Sequence, residues 1–156
     1  MTIKVELAQA PFDAAGRLSD FTAALEDEGA VVSFTGRARG QGRGGGPVSA
    51  LVPESYAGVT LKSMEAIAGD AHQKFALTAS LVIHRAGRIA PGEAIVFVTT
   101  ASRHRRAAFE AADYLMDRLK TQAVFWKREE HGGASVWIEP TSQDREDALR
   151  WNRGIE

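Results

Sequence analysis

The 156-residue sequence contains no cysteine. This absence excludes disulfides, thiolate metal sites and cysteine nucleophiles. The four histidines are scattered and show neither an HExxH motif nor a paired metal-ligand spacing. Ser102 and His104 lie close together in sequence. However, nothing in the sequence indicates an acid that would orient the histidine, so they do not form a recognisable catalytic triad. Metal-based and thiol-based chemistry therefore have no sequence signal here.

Long apolar runs are missing as well. No run approaches the roughly 20 residues that span a bilayer, and residues 1–7 lack the apolar core of a secretory signal. We therefore expect a cytoplasmic protein. The net charge of −1 provides no overall field for nucleic acid or membrane surfaces. Basic residues are not interleaved with aromatic residues, which argues against an RNA-binding protein. Any anion site must come from local clustering of cations.

The composition, 44 % hydrophobic and 25 % charged, predicts a single globular domain over residues 1–156. Hydrophobic periodicity predicts strands over residues 2–8, 30–36, 48–56, 79–85, 94–100, 122–130 and 134–138, and helices over residues 13–27, 60–75, 106–121 and 142–151. This order predicts an α+β fold with helices packed on a mainly antiparallel sheet and an added β-hairpin subdomain.

Three local signals refine this prediction. Pro53 indicates an edge strand or a bulge. Residues 40–47, GQGRGGGP, predict a flexible hairpin loop, because the lysine and hydroxyl spacing of a phosphate-binding P-loop is absent. Residues 142–156 predict a C-terminal helix and tail, with Ser142 or Asp144 as the helix cap. Asp13 is expected to cap the first helix.

Cations gather at the ends of the predicted elements. His104 and Arg105 precede the strongest predicted helix, Lys120 lies near its end, and Lys127 follows shortly after the apolar run 123–126. A second group of cations, which includes Arg39, follows the predicted strand at residues 30–36. A single exposed cation is usually a solvated surface charge. Clustering at the ends of apolar elements favours a site for an anionic ligand.

The spacing of these cations sets a geometric limit. His104 and Lys120 are 16 residues apart, which corresponds to about 24 Å along a helix axis. One small ligand could hardly contact both residues within a single chain. If both ends of the helix serve one site, the second end must come from another subunit. We therefore hypothesise a dimer whose site is shared between two chains.

Several motifs together identify a family. They are Val31–Arg37 (VVSFTGR), Val82–Gly87 (VIHRAG), Pro91–Glu93 (PGE), Ser102–Arg105 (SRHR), Asp117–Thr121 (DRLKT) and Phe125–Glu129 (FWKRE). In this order, from about Pro11 to Trp151, the chain resembles the large, catalytic subunit of molybdopterin synthase. The FWKRE run with its upstream lysine is the most specific of these motifs.

The resemblance implies an α/β-hammerhead-like fold and a central homodimer. Each large subunit would bind one small, ubiquitin-like sulfur-carrier subunit, which gives a heterotetramer. The thiocarboxylated Gly-Gly tail of the small subunit would enter a pocket of the large one. Two sulfur atoms would pass to cyclic pyranopterin monophosphate (precursor Z), forming the dithiolene of molybdopterin. The resemblance implies no cofactor, and the missing cysteine fits sulfur that arrives on the partner.

The resemblance also assigns site residues. Lys120 and Lys127 match the catalytic lysines, which can hold a thiocarboxylate by charge and stabilise oxyanions or move protons. Phe34 and Met116 are expected to form pocket walls, with a purely structural core role as the alternative. The implied substrate-binding set is Arg37, Ala38, Arg39, His104, Arg105, Lys120, Lys127, Arg128 and Glu129.

The chain departs from the family pattern at three places. Ser55 precedes Tyr56 where family members often carry a histidine, and the loop after Arg39 is richer in glycine. An arginine near Pro140 that helps to hold substrate in some members has no direct counterpart, and Arg145 is not assigned that role. A second hypothesis is a non-catalytic module of the same fold that only binds the Gly-Gly tail of a ubiquitin-like partner.

Overall fold

The computed structural model describes residues 1–42 and 44–152. In chain order the elements are β1 (Thr2–Ala8), α1 (Ala14–Ala23), β2 (Ala30–Arg37), β3 (Ala50–Ser55), α2 (Thr60–Lys74), β4 (Ala79–Arg85), β5 (Ala94–Ser102), α3 (Arg105–Gln122), β6 (Phe125–His131), β7 (Ala134–Ile138) and α4 (Ser142–Leu149). A short 3₁₀ turn, Arg150–Asn152, follows α4. None of the helices in these described ranges is long and apolar enough to cross a membrane.

The larger sheet has the strand order β1-β4-β5-β2. β1 and β4 run parallel, and the other two pairs are antiparallel. All seven residues of β4 are buried, as expected for a central strand covered on both faces. The predicted α+β class with a mainly antiparallel sheet is confirmed.

Alternation along β4 divides the core into two layers. Val82 packs with Val98 of β5 and with Met64 and Leu115 from α2 and α3. The neighbouring positions, including Ile83, face the other side and pack against α1 and the segment before it. Because successive side chains of a strand point to opposite faces, His84 lies on the same side as Val82, toward α2 and α3.

The smaller sheet has the order β3-β6-β7, and both of its pairings are antiparallel. The predicted β-hairpin, β6 with β7, is therefore part of a three-stranded sheet. Pro53 lies in the edge strand β3, as the sequence indicated, and its carbonyl accepts a hydrogen bond from the backbone N–H of Gly87 at 2.8 Å. Leu51 forms an isolated bridge with Ile89. These contacts fix the smaller sheet against the loop that follows β4.

Some predicted boundaries were wrong. α1 ends at Ala23 rather than near Asp27, because the next backbone N–H groups turn back to Phe21 and Thr22. Asp13 does lie at the N-cap position but makes no side-chain capping bond. β3 begins at Ala50, two residues later than predicted.

The last third of the chain brings two further corrections. α3 extends to Gln122, so β6 begins only at Phe125. The N-cap of α4 is Thr141 and not Ser142 or Asp144. Thr141 accepts a hydrogen bond from the Asp144 backbone, and the Asp144 carboxylate accepts one from the Thr141 backbone, which forms a capping box.

The glycine-rich segment 40–47 closes on itself through backbone hydrogen bonds. Gly42 donates to the carbonyl of Gly46 at 2.8 Å, and Gln41 bridges to Pro47. Gly45 has a φ of 81°, which favours glycine. Arg43 and residues 153–156, the end of the predicted tail, lie outside the described residues. The described contacts pair the two ends of this segment, and its flexibility stays a prediction.

Candidate functional site

A cleft of about 350 Å³ opens between the end of β2, the buried strands β4 and β5, the last turns of α3 and strand β6. Its lining is cationic and apolar. The residues are Phe34, Thr35, Gly36, Arg37, Arg39, His84, Ile95, Val96, Met116, Leu119, Lys120 and Lys127. No Asp or Glu is among them. We call this space the cationic cleft. Its charge suits an anionic ligand.

Helical spacing brings α3 into the wall of the cleft. Met116, Leu119 and Lys120 are separated by three and four residues and therefore share one face of the helix. Leu119 is buried and Met116 is half-buried, so the helix is anchored by its apolar side. Lys120 is exposed in the last turn, where a cation also interacts favourably with the helix dipole.

Strand alternation places the second lysine. Phe125 and Lys127 are two positions apart in β6 and point to the same face of the smaller sheet. The Lys127 ammonium lies 5.7 Å from the centre of the Phe125 ring, within the range of a cation–π contact. Trp126 lies on the opposite face and is 55 % exposed, so Phe125 and not Trp126 is the β6 aromatic residue beside this lysine on the cleft side.

A second cleft, of about 210 Å³, is lined by the same two lysines. Besides the lysines, apolar residues, one threonine and two acids line it, namely Leu51, Ile95, Leu119, Thr121, Ala123, Phe125, Ile138, Glu139, Pro140 and Asp144. We call it the acid-bearing cleft. The lysine pair therefore lies where two openings of different charge meet, which would allow two reactants to approach the same ammonium groups.

The arginines enter from the end of β2. Arg37 donates from Nε to the carbonyl of Gly92 at 3.2 Å, and both Arg37 and Arg39 are exposed. Ala38, between them, is buried and held by two backbone hydrogen bonds to Gly92 and Glu93. Ala38 thus fixes the backbone that presents the two guanidinium groups, but it does not line the cleft itself.

The predicted pocket walls both line the cationic cleft. Phe34 is 45 % exposed, so a purely structural core role does not describe it. Met116 is half-buried and packs against the main core while it also faces the cleft.

Besides Ala38, four predicted site residues lie outside the lining of the cationic cleft. His104 and Arg105 are at the start of α3, which has 18 residues and is therefore about 27 Å long. Neither residue lines the cleft. Glu129 lies 3.4 Å from the His131 ring nitrogen. Arg128 points to the outer face of β6. These positions do not test the predicted binding roles in an assembled dimer.

Arg128 is held by carboxylates. Its Nη1 donates to Glu130 at 2.7 Å, and its Nε donates to Glu54 at 3.3 Å. These hydrogen bonds, first that to Glu130, raise the pKa of Arg128 above its ordinary value. The same contact with Arg128, followed by that with Arg88, lowers the pKa of the Glu130 carboxyl.

Sequence reasoning missed His84 as a site residue. It lies in the buried strand β4 and is only 3 % exposed, yet it contributes to the cleft wall. Burial, followed by the positive charges of Lys127 and Lys120, lowers the pKa of His84 to about 3. The available signal was a histidine directly after the near-continuous apolar run 81–83, because a buried polar residue needs a specific polar partner.

Fold and site together define a class: an α+β protein with a lysine pair at the meeting point of two clefts, one of them lined by arginines. The family model described as "MoaE protein" matches residues 7–122. The chain belongs to the MoaE family.

Individual relatives agree with this assignment. The chain is 49 % identical over 149 residues to the "Molybdopterin synthase catalytic subunit" of Caulobacter vibrioides, covering 96 % of this chain and 97 % of the relative. The solved structure of the "Molybdopterin biosynthesis MoaE protein" from Burkholderia ambifaria is similar with a TM-score of 0.77 at 33 % identity, covering 99 % of both chains.

A more distant structure shows the same fold. A chain of the "Protein-protein complex of subunit 1 and 2 of Molybdopterin-converting factor" from Helicobacter pylori matches with a TM-score of 0.72 at 18 % identity, covering 90 % of this chain and 92 % of that chain. At this identity the likeness shows the fold alone.

Proposed function

We propose that this chain is the catalytic, sulfur-transferring subunit of a molybdopterin synthase. It would take sulfur from the thiocarboxylated C-terminus of a small ubiquitin-like subunit and transfer two sulfur atoms to cyclic pyranopterin monophosphate. The observation that carries the proposal is the position of Lys120 and Lys127, which line both the cationic cleft and the acid-bearing cleft. Membership of the MoaE family supports the same reaction.

The charges of the cleft explain how such a reaction could proceed. The pterin substrate carries a phosphate, and the carrier tail carries an anionic thiocarboxylate. Arg37 and Arg39 offer guanidinium groups suited to phosphate. The two lysine ammonium groups can pair with the thiocarboxylate and stabilise negative charge as its sulfur attacks a carbon of the pterin and displaces an oxygen leaving group. Water would then cleave the bond between the sulfur and the carrier, so that the sulfur stays on the pterin and the tail leaves as an ordinary carboxylate. No resident cofactor is needed in this scheme, because the carrier supplies the sulfur.

The proposal includes a shared site. Since His104 and Arg105 lie at the far end of α3 from Lys120, they would reach the substrate only from the second subunit of a homodimer. Two small subunits on this homodimer would give a heterotetramer. A chain that stays monomeric together with its small subunit and retains full activity would refute the shared site. The cytoplasmic location stays a prediction that cell fractionation can check.

Reconstitution tests the reaction. Purified chain, thiocarboxylated carrier and cyclic pyranopterin monophosphate are expected to yield the dithiolene product, whereas the carrier with an ordinary carboxylate yields none. Lys120→Ala is expected to lower the rate by at least about a hundredfold, the usual effect of losing a group that stabilises developing charge. Lys62→Ala, an exposed lysine on α2, is the matched control and should retain the wild-type rate.

The same assay separates the two hypotheses. Binding of the carrier tail without any product, at saturating substrate, would favour the non-catalytic tail-binding module. Full activity of Lys120→Ala would contradict the role assigned to the lysine pair.

A further inference from the structure

His84 has an unusual position for a histidine. It lies in the central strand β4, between Leu7 of β1 and Val96 of β5 in the sheet register. Its ring stacks on Phe125 of β6, with centroids 4.2 Å apart and an angle of 29° between the planes. This contact spans the two sheets. The ring is therefore fixed by packing from the smaller sheet rather than by its own strand alone.

The hydrogen bond of the ring defines the tautomer. Nδ1 lies 2.7 Å from the backbone carbonyl of Arg85. A carbonyl oxygen only accepts hydrogen bonds, so Nδ1 must carry the proton and donate. In a neutral imidazole the other nitrogen, Nε2, then carries a lone pair and can only accept.

The charged groups around His84 are the catalytic candidates. Lys127 approaches from β6 and Lys120 from α3, and the charges of both disfavour a protonated ring. The register neighbours on β1 and β5 are apolar. With a pKa of about 3, His84 is neutral at any physiological pH. Phe125 contacts both His84 and Lys127, because its ring stacks with the imidazole and lies near the Lys127 ammonium.

We propose that His84 is a positioning residue, whose Nε2 lone pair accepts a hydrogen bond from the Lys127 ammonium and directs it into the cationic cleft. A carboxylate in this place would orient the lysine too, but it would also compete with anionic reactants for its charge. A neutral imidazole orients the ammonium and leaves the net charge of the cleft wall unchanged. Glu139 and Asp144 line the acid-bearing cleft and not the cationic cleft.

The catalytic part of this inference rests on the proposed function, whereas the hydrogen bond itself does not. Two variants separate the role of the His84 Nε2 as a hydrogen-bond acceptor from the packing of the ring against Phe125. His84→Phe keeps an aromatic ring against Phe125 and removes the acceptor. His84→Gln keeps an amide oxygen that can reach the Nε2 position. His72→Gln, at a histidine on α2 that contacts Ser80, controls for the general effect of losing an imidazole.

The kinetic expectation is a loss of kcat with little change in KM for the pterin. His84→Phe should lower kcat about ten- to a hundredfold, the range for losing one hydrogen bond to a charged group. His84→Gln should recover most of that loss, and His72→Gln should retain the wild-type kcat. Equal losses in both His84 variants, with unchanged lysine titration, would indicate a packing role and overturn the inference.

Two NMR measurements test the hydrogen bond without turnover. Imidazole ¹⁵N spectra of the wild-type chain should show His84 protonated at Nδ1 only, with no titration between about pH 8 and pH 5, given its pKa of about 3. The ¹³Cε resonance of Lys127, assigned with Lys127→Arg, should titrate at a lower midpoint in His84→Phe than in wild type, because the charged form loses an acceptor.

The outcomes can be told apart. If wild type makes no dithiolene, the proposed function fails, but the His84 tautomer and the Lys127 titration still decide whether the hydrogen bond exists. If wild type is active while His84 is protonated at Nε2, or while the Lys127 midpoint is unchanged in His84→Phe, the positioning role is refuted. Should His84→Phe fail to fold, the wild-type spectra and His84→Gln still give the answer.

Discussion

The two faces of β6 differ more than its sequence suggests. Phe125 and Lys127 face the clefts, where the lysine meets an aromatic ring and a second lysine. Trp126 and Arg128 face outward, where the arginine is held by Glu54 and Glu130 and the tryptophan contacts Trp137. Adjacent cations in one motif therefore have different surroundings. The inner face carries the chemistry proposed for the chain, and the outer face carries ion pairs that hold the smaller sheet together.

The largest effect is expected when the two adjacent cations of β6, Lys127 and Arg128, are replaced one at a time. Lys127→Ala is expected to lower the rate of dithiolene formation by about a hundredfold or more, because the cleft loses a charge that stabilises the transition state. Arg128→Ala is expected to retain most of the rate, since its guanidinium is engaged by Glu54 and Glu130. The reconstituted assay measures both.

A comparable loss in Arg128→Ala would support the substrate-binding role that the family resemblance assigns to this arginine, and it would break the distinction between the two faces. Circular dichroism of each variant shows whether a lost rate reflects lost folding instead. Lys62→Ala serves again as the control for removing a surface charge.

The buried histidine beside the inner face should make stability depend on pH. Below roughly pH 6.5, the ordinary pKa of histidine, His84 binds a proton in the unfolded chain but not in the folded one, where its pKa is about 3. Stability rises with pH wherever the unfolded state binds more protons. As the pH is lowered from about 6.5 to 3, the free energy of unfolding should therefore fall by up to roughly 1.4 kcal/mol for each pH unit.

Urea denaturation at several pH values measures this slope. His84→Phe should have a shallower slope than wild type over the acidic range. Burial lowers the pKa of His72 as well, so His72→Gln should also make the slope shallower. This change should be smaller than that of His84→Phe. Identical slopes in wild type and His84→Phe would show that the imidazole is accessible to protons in the folded chain.

The smallest expected effect concerns the aromatic residues of the two faces. Phe125→Ala removes a half-buried ring that stacks on His84 and should cost about 2 kcal/mol of unfolding free energy, somewhat less than a full core substitution. Trp126→Ala removes a ring that is 55 % exposed and should cost less than about 1 kcal/mol. Thermal unfolding of the two variants measures the difference. A larger cost for Trp126→Ala would indicate that the outer face is more tightly packed than the inner one.

The sequence by itself determined the local features of this protein. β4 and β7 have the predicted bounds, because an apolar β-branched run and a hairpin turn act over a few residues. The distance between His104 and Lys120 also followed from sequence, since a continuous helix has a fixed rise per residue. The two lysines could be named from the family motifs.

Only the tertiary structure decided which groups meet. Alternation shows that Phe125 and Lys127 share a face, but every position of FWKRE is either large or charged, so the pattern does not say which face turns inward. The packing of β6 over β4 settles that and brings His84 to Phe125. Arg128 and Glu54 are 74 positions apart, and their pairing depends on the register of β3 with β6. Such contacts depend on how whole sheets pack, which local propensity does not encode.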